Sequence, residues 1–364
     1  MDTADLKTRF AHEGLSLPET LTLAITATCN LQCAHCWVEA SPCGEKAQIS
    51  LQIIQRLLDD FKRLGGTGLR LTGGEPLLHP ARLEILTLAD QLGFEKIILQ
   101  TNAMLFGPSE LSTLAKIDPN RLQIQVSLDG ARAESHDLVR GQGAFQETLV
   151  GLKKLVDQGF GPQLAIFFTE MHHNLSELPG VFTLATELGI GSVSSGSLVL
   201  CGRAGSDEII RPPDPEQYPA LLERWKTDEN FRRQYESIGC IAALEWCHAE
   251  NSADGCSFIK TPYLTADGVL YPCLMCHAEE YSVSSVFENG LLSALMEGIP
   301  LWTSLQKLSH ERVSGLAECQ QCALLDSCGG GCMGRAWGSF GDFMRAEDRC
   351  QQRRTVLNWK INSN

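Results

Sequence analysis

Six short apolar, β-prone runs recur between residues 20 and 200, at 21–26, 67–72, 96–101, 122–127, 163–169 and 192–199. Longer stretches with helical periodicity separate them, at 50–64, 81–92, 108–115, 144–158 and 175–188. Strands alternating with helices make parallel βα units, because a parallel neighbour needs a crossover connection. A partial barrel and an open sheet both satisfy that pattern. In either, chemistry gathers on the loops at the carboxyl ends of the strands.

With 43% hydrophobic residues in 364, the chain can bury a sizeable core. Its net charge of −14 comes without a long basic run, which argues against duplex nucleic acid as a partner. The first fourteen residues are polar, and no stretch reaches the roughly 18 apolar residues of a membrane span. A cytoplasmic protein with no membrane partner is expected. Fifteen cysteines, an odd number in a long chain without an export signal, point to metal binding rather than disulfides.

The first strand runs into TATCNLQCAHCW, which sets Cys29, Cys33 and Cys36 in one loop. Three thiols are one short of a tetrahedral zinc site, which His35 or Cys43 could complete. An iron-sulfur cluster on three thiolates would instead leave one iron open. The second strand ends in LTGGEP, a glycine turn with proline at a helix start. Other strand ends carry Thr101 and Asn102 in QTNA, Ser127 and Asp129 in VSLDG, and Arg140 follows in HDLVRG.

The cysteine loop and the GGEP turn together resemble the radical SAM superfamily. That resemblance implies a partial (β/α)6 TIM-like barrel whose Cys29, Cys33 and Cys36 hold a 4Fe-4S cluster, with the fourth iron chelating S-adenosylmethionine. It assigns Gly73, Gly74, Glu75 and Pro76 to the cofactor's methionine end, Glu75 accepting its ammonium. Ser127 and Arg140 are carried over as further contacts, Arg140 for the carboxylate, with Asn102 and Asp129 beside them.

A second pattern begins at Cys256, with eleven residues to Gly268 and four more to Cys273. Cys319-x2-Cys322-x5-Cys328-x3-Cys332 follows, and seventeen residues further on comes Cys350. Two zinc ribbons are the plain alternative. The ordered seven cysteines and glycine resemble the SPASM domain, which implies two auxiliary 4Fe-4S clusters. Cys256, Cys273 and Cys332 would bind the first, and Cys319, Cys322, Cys328 and Cys350 the second. An eighth cysteine completes the first cluster in some relatives. Cys247 is the favoured candidate here, with Cys240 and Cys276 behind it, or an iron is left open. The expected organisation is an N-terminal extension at 1–20, the barrel at 21–200, a Pro-rich bridge at 201–250, the cluster domain at 251–355 and a tail at 356–364. Only about 20 residues precede the first strand, so no leader-binding winged helix is expected.

The function implied is reductive cleavage of S-adenosylmethionine to a 5′-deoxyadenosyl radical that modifies a peptide or protein side chain, a thioether or carbon-carbon cross-link being favoured. A flavodoxin or ferredoxin would supply electrons, and a separate leader-peptide-binding protein is a possible partner. Sulfatase maturases place an Asp directly after the cysteine equivalent to Cys273, where this chain has Leu274. That lowers formylglycine formation among the options. A tetrapyrrole-modifying enzyme of haem biosynthesis is the small-molecule alternative, and an iron-sulfur electron carrier the non-catalytic one. The sequence names no general base.

Overall fold

The computed structural model describes residues 2–43, 47–206, 209–248, 256 and 258–363. The six strands form as β1 Thr20–Thr26, β2 Gly68–Gly73, β3 Lys96–Thr101, β4 Leu122–Ser127, β5 Leu164–Glu170 and β6 Ser192–Ser197. They pair in sequence order and in parallel. Leu21, Leu23 and Ile25 of β1 lie in the main core together with Leu69, Leu71, Ile97 and Leu99 of its neighbours.

The outer helices follow local chemistry. In Leu51–Leu64, Ser50 caps the start by accepting the Ile53 amide at 3.4 Å, and Gly65 ends the helix at φ 106°. Ile54, Leu57, Leu58, Phe61 and Leu64 fall on one face and are buried. Between strands and helices the sheet is covered as a barrel wall, but it does not close.

The sheet continues at both edges. A two-residue strand β7, Gly239–Cys240, adds in parallel to β6, and β8, Tyr263–Leu264, adds in parallel to β1. Strand β9, Leu270–Tyr271, pairs antiparallel with β8, giving nine strands in the order β7-β6-β5-β4-β3-β2-β1-β8-β9. A hairpin turns at Ala266-Asp267-Gly268, with Gly268 at φ 93° and no room for a Cβ, which would meet Phe287 at 2.8 Å. It fixes the cysteine-rich region directly to the barrel edge.

Several helices differ from the sequence reading. Thr3–His12, within the expected extension, buries Leu6 and Phe10, and Phe10 meets Trp302 at a 6.4 Å ring separation. Trp302 belongs to a 25-residue helix, Leu291–Gly315, which runs through Pro300 in a region where the sequence showed little periodicity. Within the Pro-rich bridge two helices form, Gln217–Thr227 and Glu229–Ile238. Asp228 divides them, since its side chain accepts the Phe231 amide at 3.0 Å and so caps the second. Residues 356–363 continue the helix Cys350–Ser363. Among the described residues no helix is long and apolar enough to cross a membrane.

Candidate active site and cluster sites

The loop carrying Cys29, Cys33 and Cys36 is held from four sides. Gly74 and Glu75 donate their amides to Thr26 O at 2.7 Å and Thr28 O at 2.8 Å. A Cβ on Gly73 or Gly74 would stand 2.2 Å from those same two carbonyl oxygens, so only a glycine pair lets β2 approach this closely. Asn102 Nδ2 donates to Asn30 Oδ1 at 2.8 Å, and the Ala34 amide donates to Val139 O at 2.7 Å. Arg203, after β6, donates through Nε to Cys33 O and through Nη2 to Ala40 O, both at 2.8 Å.

The three thiols line one cavity of about 640 Å³ at the carboxyl end of the strands. Gly73, Gly74, Glu75, Asn102, Ser127 and Arg140 line it as well. Pro76 and Asp129 do not. Pro76 is buried in the turn Pro76–Leu78, which Glu75 caps by accepting the Leu77 amide at 3.1 Å. Asp129 sits fully buried behind Arg140, accepting from Arg140 Nε at 2.7 Å and from the Thr169 amide at 2.8 Å. Asp129, expected from the sequence beside the cofactor, stands behind Arg140 with both carboxylate oxygens accepting from protein groups.

Electrostatics match a zwitterionic ligand. The Glu75 carboxyl is buried, which pushes its pKa up to about 7 despite donors from Asn102 N at 2.9 Å and Thr101 Oγ1 at 2.8 Å. A desolvated carboxylate on a cavity wall is suited to an ammonium. Arg140 spends Nε on Asp129 and keeps Nη1 3.9 Å from Cys33 Sγ and Nη2 3.4 Å from His35 Nε2. Burial opposes the charge on Asp129, but Arg140 first and His35 second hold the carboxyl well below the usual range. Burial raises the Cys29 thiol to about 12 and raises Cys33 too, with Arg140 pulling Cys33 back. Thiols in that state gain most from a metal cluster, which takes them as thiolates.

The C-terminal cysteines fall into two groups. Cys256, Cys273, Cys276 and Cys332 interact electrostatically with one another, and burial raises all four. Cys276 belongs there because Cys273 and Cys276 pair across a tight turn, the Cys276 amide donating to Cys273 O at 3.3 Å. Gly334 lies against that turn, where a Cβ would stand 2.4 Å from Met275 O, and this brings Cys332 to it. Cys247, favoured from the sequence, instead packs in the main core, and the charge that reaches it is that of Lys360. Cys240 is exposed.

Cys319, Cys322, Cys328 and Cys350 line a second, small cavity of about 20 Å³. Gly329, Gly330 and Gly331 all have positive φ, at 58°, 78° and 72°. Buried Arg312 fixes this turn, donating to Gly331 O at 2.7 Å and Gly330 O at 2.9 Å. The glycine triplet thus serves a left-handed turn between Cys328 and Cys332. Among the described residues no three or more His, Cys, Asp or Glu side chains are grouped to hold a single metal ion. Two thiolates on one zinc lie only about 3.8 Å apart, as Zn–S bonds of ~2.3 Å at tetrahedral angles require. A four-iron cluster spreads its thiolates wider.

Sequence reasoning missed Arg203, and it named His35 only as a ligand that could complete a zinc site, not as a partner of Arg140 and Asp129. Gly202 offered a signal, since a Cβ there would strike Cys36 O and Trp37 O at 2.7 Å.

Three thiols, a buried carboxylate and a guanidinium thus line one cavity at the carboxyl end of the parallel strands. Residues 23–185 match the family described as "Radical SAM superfamily". Residues 23–185 form a radical SAM domain, and the cysteine-rich region follows it. The chain is 29% identical over 347 residues to the AdoMet-dependent heme synthase of Methanosarcina barkeri, covering 92% of this chain and 96% of that protein. It is 28% identical over 338 residues to the mycofactocin maturase MftC of Mycobacterium ulcerans, covering 89% and 85%. The solved structure "Native anSMEcpe with bound AdoMet and Cp18Cys peptide" shares its fold over 95% of this chain and 97% of that one, at a TM-score of 0.72 and 17% identity.

Proposed function

We propose that this enzyme modifies a peptide or protein side chain and forms a cross-link, thioether or carbon-carbon. One observation carries the reading: the same cavity is lined by Cys29, Cys33, Cys36, Glu75 and Arg140 of the barrel and by Leu274, Met275 and Trp337 of the C-terminal region. When bound, the 4Fe-4S cluster and S-adenosylmethionine supply a 5′-deoxyadenosyl radical that abstracts hydrogen from an unactivated carbon. Cys29, Cys33 and Cys36 would hold that cluster. Glu75 would bind the cofactor's ammonium and Arg140 its carboxylate, fixing the radical's origin on the barrel wall. Apolar Leu274 and Trp337 in the same lining would exclude water, which protects a radical from side reactions. Leu274 also places no carboxylate where sulfatase maturases have one.

Eight cysteines would hold two auxiliary clusters, with Cys276 rather than Cys247 completing the first. Flavodoxin or ferredoxin is the proposed reductant, and a leader-binding partner is compatible with a barrel that itself forms the cavity wall. Peptide action is supported by the fold shared with a structure solved with AdoMet and a peptide. The test is anaerobic incubation with short peptides encoded beside the gene, followed by mass spectrometry. Loss of two hydrogens in a peptide supports the reading; cofactor cleavage with every such peptide unchanged counts against it.

A second reading has its own observation, the near full-length similarity to an AdoMet-dependent heme synthase. Turnover of a propionate-bearing iron porphyrin under the same conditions would favour it.

A further inference from the structure

The cavity also carries a cationic patch outside the residues assigned to the cofactor. Arg335, Arg349 and Arg353 all line it, beside Trp246 and Glu347. Arg335 is bidentate on Asp348, at 2.9 and 3.1 Å, and donates through Nη2 to Leu198 O at 2.7 Å. Arg349 shares Asp348 at 3.2 Å and the same Leu198 carbonyl at 2.8 Å. These two arginines thereby tie the C-terminal domain to the end of β6. Arg353 lies over the Trp246 ring at 4.8 Å and gives its Nε to Glu347.

Charge and hydrogen bonding at this patch are both left incomplete. Three guanidiniums face two paired carboxylates, Glu347 and Asp348. The third carboxyl nearby, Glu170, is fully buried, receives the hydroxyls of Ser195 at 2.6 Å and Tyr218 at 2.8 Å, and is held towards its neutral form by burial. Arg349 is 2% exposed, and its Nε has no hydrogen-bond partner among the described residues. The terminal nitrogens of Arg353 have no partner there either, since its one bonded edge is Nε. A buried guanidinium with unspent donors is costly unless a ligand satisfies it.

We propose that Arg353 and Arg349 bind a carboxylate of the substrate, held against Trp246 in the cavity that Glu75 and Arg140 also line. This rests on the reading of the cavity as the place where the radical meets its substrate. The carboxylate serves as a handle: bidentate capture by a guanidinium fixes the substrate's orientation while an apolar portion faces the barrel. The carboxylate belongs to a peptide terminus or acidic side chain, or to a porphyrin propionate, and the shared chemistry is the same.

The experiment uses reconstituted enzyme with S-adenosylmethionine bound and two pairs of probes. One pair is N-acetyl-phenylalanyl-glycine and its amide; the other is a propionate-bearing porphyrin and its methyl ester. Equilibrium dialysis reads affinity alone, so the result stands apart from whether any product forms. The charged member of at least one pair should bind roughly tenfold or more tightly than its neutral twin. Arg353→Gln should erase that preference, and Arg353→Lys, which keeps the charge but not the fork or the stacking on Trp246, should keep only part of it. Arg353 is the first choice because its side chain is partly exposed, and thermal unfolding of both variants checks the fold. Preference within the peptide pair names a peptide source; preference within the porphyrin pair names a propionate. Equal binding of the twins in both pairs, no detectable binding of either charged probe, or an equal loss for both twins in Arg353→Gln overturns the proposal.

Discussion

Arg140 Nε donates to Asp129 Oδ2 at 2.7 Å, and the pair stands directly behind the cysteine loop, with Arg140 Nη1 3.9 Å from Cys33 Sγ. Asp129 therefore aims the one guanidinium on the cofactor side of the cavity that the sequence singles out.

Asp129→Asn should weaken S-adenosylmethionine binding although Asp129 itself does not line the cavity. Breaking a buried ion pair by removing one partner costs about 3–5 kcal/mol, so the melting temperature should fall as well. The native carboxyl is held below its ordinary range, so the pair's contribution is complete at neutral pH and is lost only as pH falls through the acid range. Calorimetry with and without cofactor checks both effects. Unchanged cofactor affinity in a folded variant would show that Arg140 keeps its aim without Asp129.

Glu75→Gln separates cofactor binding from folding better than Glu75→Ala, because its one amide oxygen still accepts from Thr101 and the Leu77 amide, and only the Asn102 amide loses its acceptor. Loss of the charged acceptor should cost on the order of 1.5–3 kcal/mol of S-adenosylmethionine binding, with iron content unchanged. The sign of the pH effect follows from burial. In the free protein the carboxyl titrates near 7 rather than 4.5, so its ionisation across that interval costs stability. A bound ammonium offsets the cost, and cofactor affinity should therefore rise with pH through about 7 in the native protein and stay flat in Glu75→Gln. A flat profile in both would remove Glu75 from the cofactor's contacts.

Cys276→Ala and Cys247→Ala test which thiol completes the first auxiliary cluster. Both cysteines are nearly buried, but only Cys276 shares the turn with Cys273. Anaerobic reconstitution should give about twelve irons in the native chain, from three four-iron clusters. Cys276→Ala should lower that count by up to four or shift that cluster's potential, whereas Cys247→Ala should leave iron intact and lower the melting temperature through a small core cavity. The reverse pattern, measured by iron analysis and redox titration, would restore Cys247.

What was legible in the sequence was local. The six strands and their polar ends show as short apolar runs closed by GGEP, QTNA and VSLDG, because strand periodicity and turn residues lie within a few positions of one another. The grouping of Cys319, Cys322, Cys328 and Cys350 was legible from the SPASM resemblance. The eighth thiol was not: Cys276 joins its group through a turn and the approach of Gly334, 58 positions further on. Nor was Arg203, whose bonds go to Cys33 and Ala40, more than 160 residues earlier. The helix Thr3–His12 owes its buried face to Trp302, so its burial depends on the far end of the chain.

The last prediction separates radical generation from substrate chemistry. Cys328 lines the small cavity with Cys319, Cys322 and Cys350, while Cys29, Cys33 and Cys36 line the large one. Glu347 and Arg353 reach both regions: both line the large cavity, and both act electrostatically on the Cys328 thiol. If the second auxiliary cluster relays electrons or organises substrate, Cys328→Ala should keep uncoupled cofactor cleavage while product formation on the true substrate collapses. Misfolding would imitate this result, because metal binding contributes folding free energy to small loop-rich domains. Iron content and thermal unfolding measured on the same sample distinguish the two. A folded variant that has lost about four irons yet still makes full product would make the second cluster structural and end its proposed part in the chemistry.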